Sequence, residues 1–454
     1  MPATSMEQLV SLCKRRGFIF QSSEIYGGLK GVYDYGPLGV ELKNNLKQNW
    51  WQTFVYGRDD VEGLDCATIA HHDIFYYSGH VDGFTDPLVE CKDCQARMRA
   101  DKMVDPKVCE NCGSTNVTEP RAFNLLFPVT MGPVAEKGTQ AFLRGETCQH
   151  IFVNFKNVMD STAQRPPFGI AQVGKAYRNE IVARNFIFRT REFEQLEMEF
   201  FVQPGTDEDW YDHWVDQSMA FWQAQGLSPD NLRQDVLAPD DLPHYAKKTI
   251  DVEYKFPHGF DEIESINNRT DYDLGNHTKA QQDYKIDAKV KPNTDSNTKL
   301  AVQNLDTKEW YVPYVVEASM GLDRAVLAVL CEAYTEETLE DGSTRTVLQL
   351  KPHLAPIKVA VIPLAKNKPE LVNQAKEIKD SLQKLGLGRV LFENSGNVGK
   401  AYRKHDEVGT PLCITVDFDT LEDGTVTVRN RDTMQQERLP VTELAAYVQD
   451  YYRG

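Results

Sequence analysis

From Gln195 to Phe200 polar and apolar residues alternate without a break. Leu196, Met198 and Phe200 fall on one side of an extended chain, and Gln195, Glu197 and Glu199 on the other. Such a strand has one apolar face that must be covered and one face carrying two carboxylates and an amide. Carboxylates side by side on a sheet repel each other unless water or a cation intervenes. Two readings follow: a half-exposed antiparallel strand with a wet outer face, or a strand whose acidic face serves a cationic ligand. Taken alone, the pattern favours the first.

A chain of 454 residues exceeds one ordinary core, so two or three domains are expected. Apolar residues at 41% and aromatics at 10% supply those cores and exclude a disordered chain. No run approaches the roughly 18 apolar residues of a membrane span. The N-terminus lacks the apolar core of a signal peptide and carries Glu7 early, so a cytoplasmic protein is expected. A net charge of −17 opposes indiscriminate binding to polyanions. A nucleic-acid partner would need local basic surface, for which Arg429, Arg431, Arg438, Lys400, Arg403 and Lys404 are candidates. Each would serve equally well as ordinary solvated charge.

Four of nine cysteines are organised as two C-x2-C pairs, Cys91 with Cys94 and Cys109 with Cys112, separated by 14 residues. Two tight turns, each presenting two thiolates, suit a structural Zn2+ with no open coordination position. The disulfide alternative needs an oxidising compartment, of which the sequence gives no sign. Cys13, Cys66, Cys148, Cys331 and Cys413 are dispersed and expected to pack as small apolar residues.

Around the cysteine module (about 86–118) the chain reads as mixed helix and strand up to about residue 350. Val40 to Trp51 forms a helix opened by the turn Tyr35-Gly36-Pro37-Leu38-Gly39. Asp207 to Gly226 is a second helix, with Trp210, Trp214, Met219 and Trp222 spaced for core packing. The polar stretch 287–300 is expected to be an exposed loop. After a boundary at Lys351 to Pro356, short apolar runs alternate with amphipathic segments. Strands are expected at Ile357–Pro363, Arg389–Phe392 and Pro411–Asp417, with helices at Val372–Leu385 and Lys400–Val408. That alternation predicts a small α/β domain with a largely parallel sheet.

The acidic strand does not stand alone. Arg178-Asn179-Glu180, a loop and the return strand through Phe193 resemble motif 2 of class II aminoacyl-tRNA synthetases. Gly321-Leu322-Asp323-Arg324 before the apolar helix Ala325–Leu330 resembles motif 3, and the Gly36-Pro37 turn resembles motif 1, the dimer element. All three occur in order. Arg144-Gly-Glu-Thr147, Phe188 to Glu197, Asn268-Arg-Thr-Asp271, Glu317 to Gly321 and Ser78-Gly-His-Val81 are similar to signatures of the homodimeric glycyl-tRNA synthetase family. The runs Glu393–Gly396, Asp406–Pro411 and Arg429–Thr433 resemble its anticodon-binding domain. Departures are Cys148 and His150, where small residues are expected, and Ala318, where proline is expected.

The resemblance implies an α+β fold. A class II catalytic domain (1–350) has an antiparallel sheet, motif 1 near 36–60, a zinc-ribbon-like insertion, motif 2 at about 173–201 and motif 3 at about 315–332. An α/β anticodon-binding domain (351–454) follows. It implies a glycine–tRNA ligase that forms glycyl-adenylate from ATP and transfers glycine to the 3′ end of tRNA(Gly), as a homodimer using Mg2+. Arg178 would hold the α-phosphate, Arg324 the γ-phosphate, and Glu262 the Mg2+, these three being the catalytic set. Further ATP contacts would come from Asn179, Glu180, Phe188, Arg189, Thr190, Arg191, Glu192, Phe193, Ile263, Gly321, Leu322 and Asp323, with Phe193 stacked on adenine. Glycine would meet Glu146, Glu197, Glu317 and Ser319 at its ammonium and Arg99 at its carboxylate. Phe193, Glu194, Gln195, Leu196, Ala318, Met320 and Gly321 would complete the glycine pocket. Two other readings stay open: a class II synthetase for proline, threonine or histidine, and a synthetase-like subunit that binds nucleic acid without catalysis.

Overall fold

The computed structural model describes residues 5–133 and 138–453. Seven strands form its main sheet: β1 (Val61–Gly63), β2 (Phe168–Tyr177), β3 (Glu192–Val202), β4 (Leu232–Val236), β5 (Lys248–Phe256), β6 (Gly259–Thr270) and β7 (Tyr314–Gly321). Their order is β4-β5-β6-β7-β3-β2-β1. Every neighbouring pair is antiparallel except β1 with β2. The α+β architecture expected from the sequence is therefore present.

Alternation along the strands fixes what each face does. Leu196, Met198, Phe200 and Val202 of β3 join Ile263 and Ile266 of β6 and Val316 and Met320 of β7 in one core. Two helices lie on that face, α2 (Asp207–Ala224) and α3 (Leu322–Ala333), and helix α1 (Gly39–Trp51) packs on α3. Trp214 and Trp222 of α2 are fully buried, and Trp210 packs its ring 4.5 Å from that of Phe200. A fully buried side chain of this kind contributes about 1.5–3 kcal/mol or more. Nearly all of α3 is buried, as a helix apolar on all sides must be; Arg324 and Glu332 are the partly exposed exceptions.

The turn before α1 owes its shape to two glycines. A Cβ on Gly36 would lie 2.4 Å from the Gly17 carbonyl, and one on Gly39 1.9 Å from the Phe18 carbonyl. Any side chain there would drive the turn away from the chain beneath it.

On the opposite face, the helix Cys148–Thr162 covers one end of the sheet, packing Phe152 and Phe155 against Phe168, Ile170 and Phe201. The rest of that face lines a cleft. Segment 287–300 contains no helix or strand and alternates between exposed and half-buried residues, rather than being exposed throughout.

The C-terminal sheet runs in the order Val390–Phe392, Val359–Pro363, Leu412–Val416, Thr425–Asn430, Gln436–Pro440. Helices Pro369–Gln383 and Val398–Glu407 form the expected crossovers, and the first three strands are parallel. The last two are antiparallel, so the sheet is mixed rather than largely parallel. The connection 417–424 is too short for a parallel crossover, which needs about a dozen residues.

Two of the basic candidates are not surface groups. Arg429 and Arg431 are 4% and 2% exposed. Arg429 binds Asp406 at 2.8 and 3.1 Å, and Arg431 donates to the carbonyls of Gly409 and Leu350. Lys400, Arg403 and Arg438 are exposed and Lys404 is half-buried. Of the five dispersed cysteines, four are buried and Cys66 is half-buried.

Candidate active site

The acidic face of β3 is dry. Gln195, Glu197 and Glu199 are 7%, 1% and 0% exposed, which excludes the wet-strand reading. Strand register sets their neighbours. Glu197 pairs with Gln172 on β2 and Ser319 on β7, and Ser319 with Ser265 on β6. One step along, Glu199 pairs with Glu317, and Glu317 with Asn267. Glu197 and the Glu199–Glu317 pair thus lie in adjacent rows under the cleft.

Glu197 and Glu317 are held by short contacts. Ser319 donates to Glu197 Oε1 at 2.7 Å, and the Thr147 hydroxyl donates to Glu197 Oε2. Glu317 accepts from Asn267 Nδ2 at 2.6 Å and from Arg269 at 3.0 and 3.1 Å. Arg269 is itself buried, gripped by Asp273 at 2.6 and 2.9 Å and stacked 3.8 Å over the Tyr245 ring. Glu146 projects in from the other side, 2.9 Å from His80 Nε2 and 3.9 Å from Arg178.

These surroundings pull the carboxyl groups apart. Burial raises Glu146, but the charges of His80, Arg269 and Arg178 outweigh it and hold the group well below the usual carboxylate range. Burial and the Glu146 charge push Glu197 up, against the hydroxyls of Thr147 and Ser319. Glu317 is raised to about 7 by burial, with Arg269 opposing and Glu197 and Glu146 adding to the rise. Glu199 is raised well above the ordinary value by burial and by Glu317. Carboxylates therefore outnumber cations, and an added cation would be stabilised here.

Beside this acidic floor the cleft, about 410 Å3 in volume, turns basic. Arg178 lies between two rings, 5.1 Å from Phe84 and 5.3 Å from Phe193, and its Nε donates to the Gly145 carbonyl at 3.0 Å. Arg324 stacks 4.3 Å over Phe188 and binds Glu262 Oε1 at 3.1 Å and the Glu262 carbonyl at 2.9 Å. Such planar guanidinium forks, fixed by stacking, match phosphate oxygens. Glu180 is buried, with Oε2 lacking a hydrogen-bond partner and Arg189 3.6 Å away.

Strand geometry sorts the predicted residues. Glu146, Arg178, Glu180, Phe188, Arg189, Thr190, Phe193, Gln195, Glu197, Glu262, Glu317, Ser319, Gly321 and Arg324 line the cleft. The side chains of Leu196, Ile263, Ala318, Met320 and Leu322 belong to the apolar core instead, because alternate residues point away. Glu194 and Asp323 border the cleft, but their carboxylates serve α1 and the strand before it: Lys43 and Lys47 bind Glu194, and Tyr35 binds Asp323 at 2.5 Å. Asn179, Arg191 and Glu192 are not among the lining residues; Glu192 pairs with Lys175 at 2.8 Å.

Arg99 also stands apart. It binds Asp86 and Asp101, each at 2.7 Å, and lines a neighbouring cavity that Arg189 shares. Sequence reasoning assigns no role to Arg269, Asn267, Tyr245 or Thr147. Arg269 and Thr147 lie inside the family-like runs Asn268–Asp271 and Arg144–Thr147, so the signal exists without an assigned partner.

In the cysteine module, Cys91 Sγ is 3.7 Å from Cys112 Sγ and Cys94 Sγ 3.6 Å from Cys109 Sγ, with all four within 4.8 Å of one another. Those separations are far from a disulfide of about 2.05 Å. They match the edges, about 3.8 Å, of a tetrahedron with 2.3 Å Zn–S bonds. The donor set fits Zn2+.

A sheet of this topology, with two stacked arginines beside it, is a class II synthetase site. Residues 133–334 match the tRNA synthetase class II core domain (G, H, P, S and T), and residues 358–451 the anticodon binding domain. The fold is shared with a Giardia lamblia prolyl-tRNA synthetase solved with prolyl-adenylate, at a TM-score of 0.67 and 16% identity, over 99% of this chain and 80% of that one. Glycine–tRNA ligases of Deinococcus radiodurans and Thermus thermophilus are 52% and 51% identical, each over 99% of both chains. That of Borreliella afzelii is 50% identical over 98% of this chain and 96% of its own. The chain belongs to the glycine–tRNA ligase family.

Proposed function

We propose that the protein activates glycine with ATP and transfers it to tRNA(Gly). The observation that carries this is the buried surplus of carboxylates around Glu197 and Glu317, directly beside the two stacked arginines. An amino acid with no side chain binds through its two charges alone, and Glu146, Glu197 and Glu317 offer the counter-charge for its ammonium. A crowded pocket rejects an added methyl far better than a roomy one rejects a missing methyl.

In the first step a glycine carboxylate oxygen attacks the α-phosphorus of ATP, and pyrophosphate leaves. In the second, the terminal ribose hydroxyl of the tRNA attacks the glycyl carbonyl, and AMP leaves. Positioning and charge stabilisation do most of the work. Arg178 neutralises the α-phosphate and Arg324 the γ-phosphate. Glu180, with a buried oxygen free to accept, takes the adenine amino group, and Phe193 stacks on the ring. Mg2+ accompanies the ATP phosphates, with Glu262 on the cleft wall as its carboxylate. Arg99, tied to two aspartates outside the cleft, reaches the glycine carboxylate only if those pairs open.

Residues 1–350 form the catalytic unit in this reading and 351–454 read the anticodon, with Lys400, Arg403, Lys404 and Arg438 as its accessible cations. Zn2+ at Cys91, Cys94, Cys109 and Cys112 is structural. The stretch around motif 1 exposes Ile25, Tyr26, Leu29 and Tyr56, which suits a homodimer interface. No described helix is long and apolar enough to cross a membrane, and a cytoplasmic enzyme fits the activity. ATP–pyrophosphate exchange measured with each amino acid in turn tests the reading. Exchange should depend on glycine; dependence on another amino acid, or none, would overturn it.

A further inference from the structure

Among the described residues, Glu199 is the carboxylate whose two oxygens are both buried and both without a hydrogen-bond partner. Its side chain is 0% exposed, and among the described residues no arginine, lysine or histidine binds it. A buried ionisable group left in that state marks a missing partner. The neighbours show what kind. Cys148 Sγ and one carboxylate oxygen each from Glu197, Glu199 and Glu317 all lie within 4.8 Å of one another, and all four residues are buried. These come from three separate elements, β3, β7 and the first turn of the helix Cys148–Thr162.

We propose that Cys148, Glu197, Glu199 and Glu317 form a second metal site, for a thiophilic divalent cation of the zinc type. One sulfur and three oxygens make a four-coordinate set that suits Zn2+, which takes Zn–S bonds of about 2.3 Å and Zn–O bonds of about 2.0–2.2 Å. The tetrahedral edges this requires, about 3.3–3.8 Å, lie within rotamer adjustment of the separations present. Mg2+ does not compete: it demands six oxygen ligands and has no use for a thiolate. Burial and the Glu146 charge keep the Cys148 thiol protonated in the free protein, with Glu146 Oε1 3.1 Å from its sulfur. Metal binding therefore releases that proton, together with those held by the three carboxyl groups, to solvent.

The inference rests partly on the ammonium reading above, because Glu197 and Glu317 would serve both ligands. Bound zinc would then exclude glycine and leave ATP untouched, making the synthetase sensitive to free zinc through its amino-acid pocket.

The test uses full-length protein with its cysteine module loaded with zinc, comparing wild type with Cys148→Ala and Cys148→Ser. Added Zn2+ is followed by equilibrium binding and by ATP–pyrophosphate exchange. The wild type should take up one further zinc per chain, with loss of exchange relieved by excess glycine but not by ATP. Both variants should bind that zinc more than about tenfold more weakly. Equal uptake by wild type and variants, or no further uptake up to about 1 mM free zinc, overturns the site. Cys148-dependent uptake that glycine does not displace supports the metal site and refutes the ammonium reading instead.

Discussion

Arg269 and Arg345 are both fully buried and both held by carboxylates, yet their surroundings differ in charge. Arg345, on the hairpin that leads out of the catalytic domain, binds Asp406 at 2.9 Å, Glu337 at 2.7 Å and the Arg431 carbonyl. Arg429 meets the same Asp406 and the exposed Arg403 approaches it at 3.9 Å, so each buried guanidinium is bonded and no carboxylate is left without a cation. Around Arg269 stand Asp273 and Glu317 in contact, with Glu197, Glu199 and Glu146 beyond. The first group is balanced and joins the two domains. The second is overcharged and opens onto a cleft. A balanced buried network reads as structure, and an unbalanced one as a place for a ligand's charge.

Two substitutions and a pH series separate the two networks. Asp406→Ala leaves two buried arginines without their shared partner, and it should cost about 3–5 kcal/mol of stability, read as a fall in the denaturant midpoint. A loss below about 1 kcal/mol would mean that the balanced network does not hold the hairpin. Glu317→Gln should instead act on function, weakening glycine by about 2–5 kcal/mol, or some 30- to several-thousand-fold, with ATP affinity little changed. An equal loss for ATP would place Glu317 outside the glycine pocket.

The smallest effect is the pH response. Glu317 titrates near 7 in the folded protein against about 4.5 in an unfolded chain. Its protonated form is favoured by folding, so the stability it contributes is complete below about 4.5 and is lost as pH rises through 7. The glycine-free protein should lose melting temperature between pH 6 and 8, and saturating glycine should remove the trend. Glycine needs the ionised form, so its apparent KM should rise below pH 7, by at most about tenfold per unit. A KM flat from pH 6 to 8 would show that Glu317 is ionised throughout.

Much of the fold and part of the site are legible along the chain. Period-two alternation alone places Leu196 and Glu197 on opposite faces of a strand, and the paired cysteines alone predict a four-thiol cluster. Alternation cannot say which face is dry, because register and covering layers are set by distant strands. The acidic face of β3 therefore reads as wet from sequence, whereas β7 and the helix Cys148–Thr162 close it in the fold. Arg269 escapes assignment for a related reason: its pairing with Glu317 crosses between strands far apart in sequence. Arg429 and Arg431 pass for basic surface because sequence reports charge and not burial. The contiguous runs Phe193–Glu197 and Glu317–Gly321 overstate the site, since every second side chain belongs to the core.

In the proposed function, the acidic pocket holds surplus charge for an ammonium at the expense of the fold. Glu197→Gln isolates that charge, because Glu197 has hydroxyl partners and, among the described residues, no cation in contact. Glycine-dependent pyrophosphate exchange and thermal melting would be measured on the same preparation. The glycine KM should rise at least about 30-fold, with a melting temperature unchanged or higher because a buried charge has been removed. An unchanged glycine KM together with a lowered melting temperature would contradict it.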